Sequence, residues 1–353
     1  MGATIVVGAQ WGDEAKGLIS AYLNARDNSL IVCRGGTGPN AEHGIFLEDR
    51  KTYVKVNQLP LGFMFNPKTQ IRIGSGVAVN PEWLFKEANR YGVLDRVKVD
   101  YRCPVVTPEH IEAEQKSHNM ASIGSTFSGT GYCRSDFVMR TARQAKEIPA
   151  LKDYLTDMGL EVNEAARKGT VVIESSQGTL LSLAVSPDYP NVTSDNVTAM
   201  AAADDVLLNW KNLSEVMMVV KAMPSREGAG SMGVAEMPLE EIKEKNLVEI
   251  SSIGGAIRRK AVGIDWELLR YASEINGATQ VALTFCEHYD PQMADVVDKD
   301  KITGKLWELI RKVEEVTGAP VTILNTGKPY KSIIDLTRAP GRVFDFALQV
   351  AGV

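Results

Sequence analysis

The sequence predicts an α/β protein whose central sheet is mostly parallel and covered on both faces. Three observations carry that expectation. Short apolar runs rich in Val and Ile recur along the chain, as buried parallel strands require. Stretches of helical character lie between them. Glycine-dense turns follow several of the runs, where sheets of this kind place their ligands.

The strands are expected at Thr4–Val7, Leu30–Cys33, Thr170–Ile173, Val216–Val220, Thr279–Leu283 and Val321–Leu324. Helices are expected over Pro81–Tyr91, Ala142–Leu160, Trp266–Asn276 and Leu306–Thr317. No Pro/Gly/Ser-rich linker divides the chain, so one domain with long functional loops is expected. The 353 residues are 44% apolar, ample for a sizeable core. The formal charge of -5 gives no global basic field for nucleic acid. Cys33, Cys103, Cys133 and Cys286 form no C-x-x-C pair and read as reduced core thiols of a cytosolic protein. "ATIVVGAQ" is too short to span a bilayer, and no signal peptide is expected, so no membrane partner is read.

Five loops are candidates for chemistry. The first, Gly8–Gly17, follows the first strand and opens a helix near Glu14–Lys16. Helix N-terminal amides there would face an anion, and Lys16 could reach phosphate. Asp13 is out of place beside phosphates unless it holds a cation or takes a proton. The second, Arg34–Gly44, carries Asn40 and His43; a histidine near phosphate could act as general acid or stabilise charge. The third, Ile123–Gly131, is either a second phosphate nest or an ordinary flexible loop. The fourth, Ile173–Ser182, offers Gln177 as a base-reading amide or a polar turn, and Tyr189–Asn196 follows it. The fifth, Gly254–Gly263, sets three basic residues after glycines, an anion grip or a solvated charge run.

These loops, in this order, resemble the adenylosuccinate synthetase family. The carriers are "QWGDEAKG", "NAEH", "IGSTFSGTG", "ESSQGTLL", "YPNVTSDNVTA", "REGAG", "RRKAVG" and "NTGK". They cover nearly the whole chain, whose length is similar to the shorter archaeal type. The resemblance implies a single P-loop-NTPase-like α/β domain, a homodimer and a ligase. Such a ligase joins L-aspartate to a 6-oxopurine nucleotide. A nucleoside triphosphate first phosphorylates O6, and the aspartate amine then displaces that phosphate at C6.

Carried over residue by residue, Asp13 would take the N1 proton and bind Mg²⁺, with Glu42 as a further metal ligand. His43 would stabilise the transferring phosphoryl group. Lys16 and the loop residues Gly12, Glu14, Ala15 and Gly17 would hold phosphates. Asn40, Ser125, Thr126 and Thr193 would bind the mononucleotide, Gln177 its base, and Arg140 its 5′-phosphate across the dimer. Arg258 and Arg259 would grip the carboxylates of aspartate. Glu287, with Asn325 and Gly327 of "NTGK", would form the donor-base site. The base role of Asp13 has a chemical rationale: O6 becomes nucleophilic only when N1 loses its proton.

The departures from the family pattern fall in the site. Ala15 stands for a glycine, and "NAEHG" replaces "NAGHT". The basic loop keeps Arg258, Arg259 and Lys260 only. A one-residue shift decides whether Ile257 or Arg258 replaces an arginine that touches aspartate and the ribose 2′-hydroxyl. Glu227 replaces a valine close to the sugar. Glu287 replaces the guanine-reading aspartate, which favours ATP or dATP over GTP as donor. The departures resemble a specialised branch, the phage synthetases that act on dGMP to make the diaminopurine precursor N6-succino-2-amino-2′-deoxyadenylate, in the host cytoplasm. The alternative is ordinary synthesis from IMP and GTP.

Overall fold

The computed structural model describes residues 1–250 and 255–337. Gly254 of the fifth candidate loop lies outside them. Its strands, in chain order, are β1 (Gly2–Gly8), β2 (Ile31–Arg34), β3 (His43–Phe46), β4 (Tyr53–Val56), β5 (Gln70–Ile73), β6 (Val97–Asp100) and β7 (Leu155–Thr156). They continue as β8 (Thr170–Glu174), β9 (Leu213–Lys221), β10 (Ser225–Arg226), β11 (Arg259–Lys260), β12 (Gln280–Thr284), β13 (Val321–Asn325) and β14 (Ile333–Asp335).

Ten of these strands join one sheet in the order β14-β13-β12-β9-β1-β8-β2-β5-β6-β7. Every pairing is parallel except the edge pair β13–β14. β1 lies at the centre, with Val6 opposite Glu174 of β8 and Gly8 opposite Val219 of β9. Successive side chains of a strand point to opposite faces. Ile5 and Val7 of β1 accordingly enter one buried cluster, with Ile173 and Met218, while Val6 enters the other, with Val32 and Val219. Two cores thus cover the two faces, which is why the strands read as continuous apolar runs. The six expected strands all belong to this sheet. The four cysteines are free and buried, consistent with their reading as core thiols.

Helix ends follow local chemistry. Asn80 accepts the Trp83 N–H at 3.2 Å before helix Pro81–Arg90, whose first residue is a proline. Asp265 caps Trp266–Asn276 through the Leu268 N–H at 3.0 Å, and Gly277 ends it in the left-handed region. Thr303 caps Gly304–Thr317.

One expected helix, Ala142–Leu160, does not form. Short 3₁₀ turns at Ala145–Glu147 and Pro149–Tyr154 lead into edge strand β7, and the helix begins only at Met158–Lys168. Pro149 has no N–H and pushes Ile148 into an extended conformation. Asp157 then caps the new helix by accepting the Leu160 N–H at 3.3 Å. No helix among the described residues is long and apolar enough to cross a membrane.

Candidate active site

A cleft of about 780 Å³ opens at the carboxyl ends of the central strands. Its wall brings together Gly12, Asp13, Asn40, Glu42, His43, Ser125, Thr126, Gln177, Thr193, Glu227 and Arg258. Four of the five candidate loops, with "REGAG", therefore converge on one space. The fifth supplies Arg258.

The first loop is tightly organised from within. Glu14 is buried, and its Oε1 accepts the backbone N–H of Gln10 at 3.0 Å and of Gly12 at 2.9 Å. Its Oε2 pairs with Lys16 Nζ at 2.8 Å, and Lys16 also donates to the Gly12 carbonyl at 3.0 Å. The carboxylate thus sits where an anion nest would hold its guest. Gly8 permits this: a Cβ there would lie 2.5 Å from Glu14 Oε2 and 2.7 Å from the Gln177 carbonyl. The helix itself starts at Lys16, in Lys16–Arg26, so Glu14 precedes it and folds the loop. Ala15 sits at the cap with φ 64, a left-handed conformation that favours glycine. Lys16 and Gly17 are buried below the wall.

Asp13 projects into the cleft. Arg258 Nη1 lies 2.5 Å from its Oδ1, and Ser225 Oγ donates to its Oδ2 at 3.4 Å. Burial pushes the carboxyl up to about 6, against the pull of Arg258 and Lys221. The other arm of Arg258, Nη2, lies 2.8 Å from Glu227 Oε1. One guanidinium therefore bridges two carboxylates.

His43 begins β3 and packs against Glu174, the last residue of β8. Its Nδ1 hydrogen-bonds the Glu174 carboxylate, while Arg34 Nη1 reaches Nδ1 at 2.8 Å and Nε2 at 3.1 Å. Glu174 also accepts the Leu61 N–H at 3.0 Å and the Gly62 N–H at 3.2 Å. Burial and Arg34 pull His43 down to about 4, so the ring is neutral at pH 7. Arg34 already matches the charge of Glu174, so no proton on His43 is required.

The mononucleotide candidates form a polar end. Thr37 Oγ1 donates to Asn40 Oδ1 at 2.7 Å, and Asn40 Nδ2 donates to Thr193 Oγ1 at 3.2 Å. Gln177 Oε1 accepts from Ser176 Oγ at 2.6 Å and from Thr37 Oγ1 at 3.3 Å. Thr126 Oγ1 donates to Ser128 Oγ at 3.1 Å. Arg134 adds a cation to this end, paired with Asp195 and donating to the Gly76 carbonyl.

Other expected site residues lie elsewhere. Ile257 packs on Met223, Met237, Ile242 and Leu247, with Arg258 rather than Ile257 on the cleft wall. This corrects the reading in which Ile257 faces a sugar. Arg259 is also corrected: it binds Glu236 and the carbonyls of Gly228 and Gly230, both at 2.6 Å. Alternation along the strand explains both. Arg258 and Lys260 leave on one side, Arg259 on the other. Arg140 is exposed at the end of helix Thr130–Met139 and does not reach the cleft. Glu42 pairs with Lys55 at 2.8 Å.

The donor-site candidates cluster at the ends of β12 and β13. Asn325 Oδ1 accepts the Phe285 N–H at 3.3 Å, and Asn325 Nδ2 donates to the Gly327 carbonyl at 2.8 Å. Burial pushes Glu287 up to about 7. Thr284 Oγ1 donates to the Glu14 carbonyl at 2.9 Å, which ties this region to the first loop.

Sequence reasoning missed Arg34, Glu174, Lys221 and Glu249. Lys221 Nζ lies 2.7 Å from Glu249 Oε2, and Lys260 Nζ 3.2 Å from its Oε1, below Asp13. Burial and Lys221 lower Lys260 to about 8. A detectable signal existed: Arg34, Glu174 and Lys221 are charged residues that each directly follow an apolar run at the carboxyl end of a strand.

Comparison with known proteins agrees with this geometry. The adenylosuccinate synthetase family model matches residues 5–150 and 143–294. An adenylosuccinate synthetase of Archaeoglobus fulgidus is 44% identical over 341 residues, covering 96% of this chain and 99% of that one. One of Methanocaldococcus jannaschii is 42% identical, covering 94% and 96%. Among solved structures, fully ligated adenylosuccinate synthetase from Plasmodium falciparum shares the fold at TM-score 0.86 and 20% identity, covering 95% of this chain and 100% of that one. Cyanophage S-2L succinoaminodeoxyadenylate synthetase bound to dGMP and dATP does so at TM-score 0.79 and 22% identity, covering 95% of each chain. The chain is a carbon–nitrogen ligase and belongs to the adenylosuccinate synthetase family.

Proposed function

We propose that the acceptor is dGMP, which the enzyme joins to L-aspartate at C6 to give N6-succino-2-amino-2′-deoxyadenylate. One observation carries the choice of sugar. Arg258, the arginine of its loop that lines the cleft, is engaged on both arms by Asp13 and Glu227. Those carboxylates hold it before the substrates bind and the carboxylates of aspartate take it over afterwards, so no arm is assigned to a ribose 2′-hydroxyl, and a deoxyribose asks for none. A second reading, ordinary synthesis from IMP, is favoured by the names of the archaeal relatives.

In either reading Asp13 takes the proton from N1, so that O6 can attack the γ-phosphoryl group. A carboxyl held near 6 is ionised at neutral pH yet basic enough to share that proton. His43, held from behind by Arg34 and Glu174, supplies polar stabilisation beside the transferring group. Arg258 is the candidate grip for the carboxylates of aspartate. Asp13 and Glu42 put carboxylate oxygens on the cleft wall, a donor type that fits Mg²⁺. Bound Mg²⁺ would neutralise phosphate charge. Glu287 supports an adenine donor, because a buried carboxyl that carries a proton can both donate to and accept from the adenine edge. The exposed Arg140, next to Val138 and Met139 at 69% and 68% exposure, supports a homodimer in which Arg140 completes the neighbour's phosphate site.

The test is turnover with L-aspartate, Mg²⁺ and each of IMP, GMP, dIMP and dGMP, against ATP, dATP and GTP in turn. The expected best pair is dGMP with ATP or dATP. Turnover of IMP without dGMP overturns the reading.

A further inference from the structure

From the way Arg258 is held, we infer that Glu227 is the specificity-determining acceptor for the exocyclic 2-amino group of the purine. Asp13 and Glu227 together would read a 2-amino-6-oxopurine edge. The inference rests on the reading that this cleft takes a purine mononucleotide with Asp13 at N1.

The argument starts from the shape of the guanidinium. Its Nη1 and Nη2 are two N–H donors side by side in one plane. Here Nη1 meets Asp13 Oδ1 at 2.5 Å and Nη2 meets Glu227 Oε1 at 2.8 Å. The two carboxylates are therefore placed so that each has an oxygen within reach of one of two adjacent nitrogen donors. Guanine presents such a pair: N1–H and the neighbouring 2-amino N–H. Hypoxanthine presents N1–H and no donor beside it. With Asp13 on N1–H, the acceptor beside Asp13 falls next to purine C2, and that acceptor is Glu227. All three side chains line the cleft, with exposures of 16% for Asp13, 18% for Arg258 and 19% for Glu227.

Charge complementarity runs the same way. A carboxylate is an acceptor without a donor. Opposite the bare C2–H of hypoxanthine it would lose solvation and gain no hydrogen bond. Opposite the 2-amino group it gains one. As the purine edge takes over the two carboxylates, Arg258 is released toward the carboxylates of aspartate. Glu227 thus couples recognition of the base to delivery of the grip for the co-substrate.

The test compares kcat/KM for dGMP and dIMP, and for GMP and IMP, in wild type, Glu227→Val and Glu227→Gln. Each pair differs only at C2, so the sugar cancels. The wild type is expected to prefer the 2-amino substrate by about 100-fold or more. Glu227→Val should bring the ratio to within a few-fold of one, through a much larger loss of dGMP turnover than of dIMP turnover. Glu227→Gln keeps an acceptor oxygen and should retain part of the preference. Calorimetric binding of dGMP against dIMP to wild type gives the same ratio without reliance on a variant. A wild-type ratio near one, or equal loss on both substrates in Glu227→Val, overturns the inference. A preference for ribonucleotides that keeps the GMP:IMP ratio high overturns the proposed sugar and supports the role of Glu227.

Discussion

Arg258 Nη1 lies 2.5 Å from Asp13 Oδ1, so the candidate base and the candidate carboxylate grip are paired with each other. Each can work only when the other is partly released. Asp13→Asn should lower kcat by roughly 10²- to 10⁴-fold, the range of general-base catalysis, with the fold intact by circular dichroism. The proposed role needs Asp13 as the anion, and burial pushes its carboxyl up to about 6, so kcat/KM should be full above that pH and fall as pH drops through it. Arg258 lowers the Asp13 pKa, so Arg258→Met should move this acid limb upward and raise KM for aspartate. An acid limb unmoved in Arg258→Met would separate the two residues functionally.

The His43–Glu174 pair makes a second, thermodynamic prediction. Burial and Arg34 hold His43 near 4, below the usual 6.5, so the unfolded chain binds the extra proton first. Stability from this group is complete above about 6.5 and is lost as pH falls toward 4, up to about 3 kcal/mol. Glu174 is also held well below its usual range, with His43 and Arg34 outweighing burial, so its contribution is lost only at still lower pH. Urea unfolding at pH 6.8 and pH 4.8 should show a smaller difference in His43→Gln than in wild type. Equal differences would show that His43 does not titrate with folding. Glu174→Gln should cost more, roughly 3–5 kcal/mol, because it strands Arg34 in the core.

Much of the sheet was legible because burial on both faces leaves a simple mark. Val6 and Ile5 face opposite cores, so β1 is apolar at every position and cannot be mistaken for a half-solvated strand. The edge was not legible. β7 is two residues long and follows turns, and its segment has enough helical character to hide Pro149 as a breaker.

The wall of the cleft was legible where loops form it, as at Asp13, Asn40 and Thr193. It was illegible where side chains depend on partners far along the chain. Glu174 and His43 are separated by 131 residues, and Glu14 could not be assigned until its bonds to Gln10 and Gly12 were located. Arg258 and Ile257 could not be told apart by spacing. Strand alternation separates them, and alternation is visible only once the bridge Ile250–Ile257 and strand β11 set the register.

Ala15 offers a test of backbone strain at the first loop. It holds φ 64 and ψ 37 at the cap of helix Lys16–Arg26, where an L side chain costs on the order of 1–2 kcal/mol. Glycine removes that cost but loses more entropy on folding. Ala15→Gly should therefore stabilise the protein by about 0.5–1 kcal/mol, read as a rise in melting temperature. A loss of stability on this change would place the favoured conformation of Ala15 elsewhere.

Ile257 separates packing from recognition. Its side chain is half-buried against Met223, Met237, Ile242 and Leu247, away from the cleft wall. Truncation to alanine removes part of an apolar contact, and a fully buried isoleucine would cost 2–5 kcal/mol. Ile257→Ala should thus destabilise by about 1–2 kcal/mol in urea. It should leave the ratio of kcat/KM for dGMP against GMP unchanged, because Arg258 and not Ile257 lines the cleft. A shift in that ratio of tenfold or more, without loss of stability, would return Ile257 to the sugar and reassign the register of the loop.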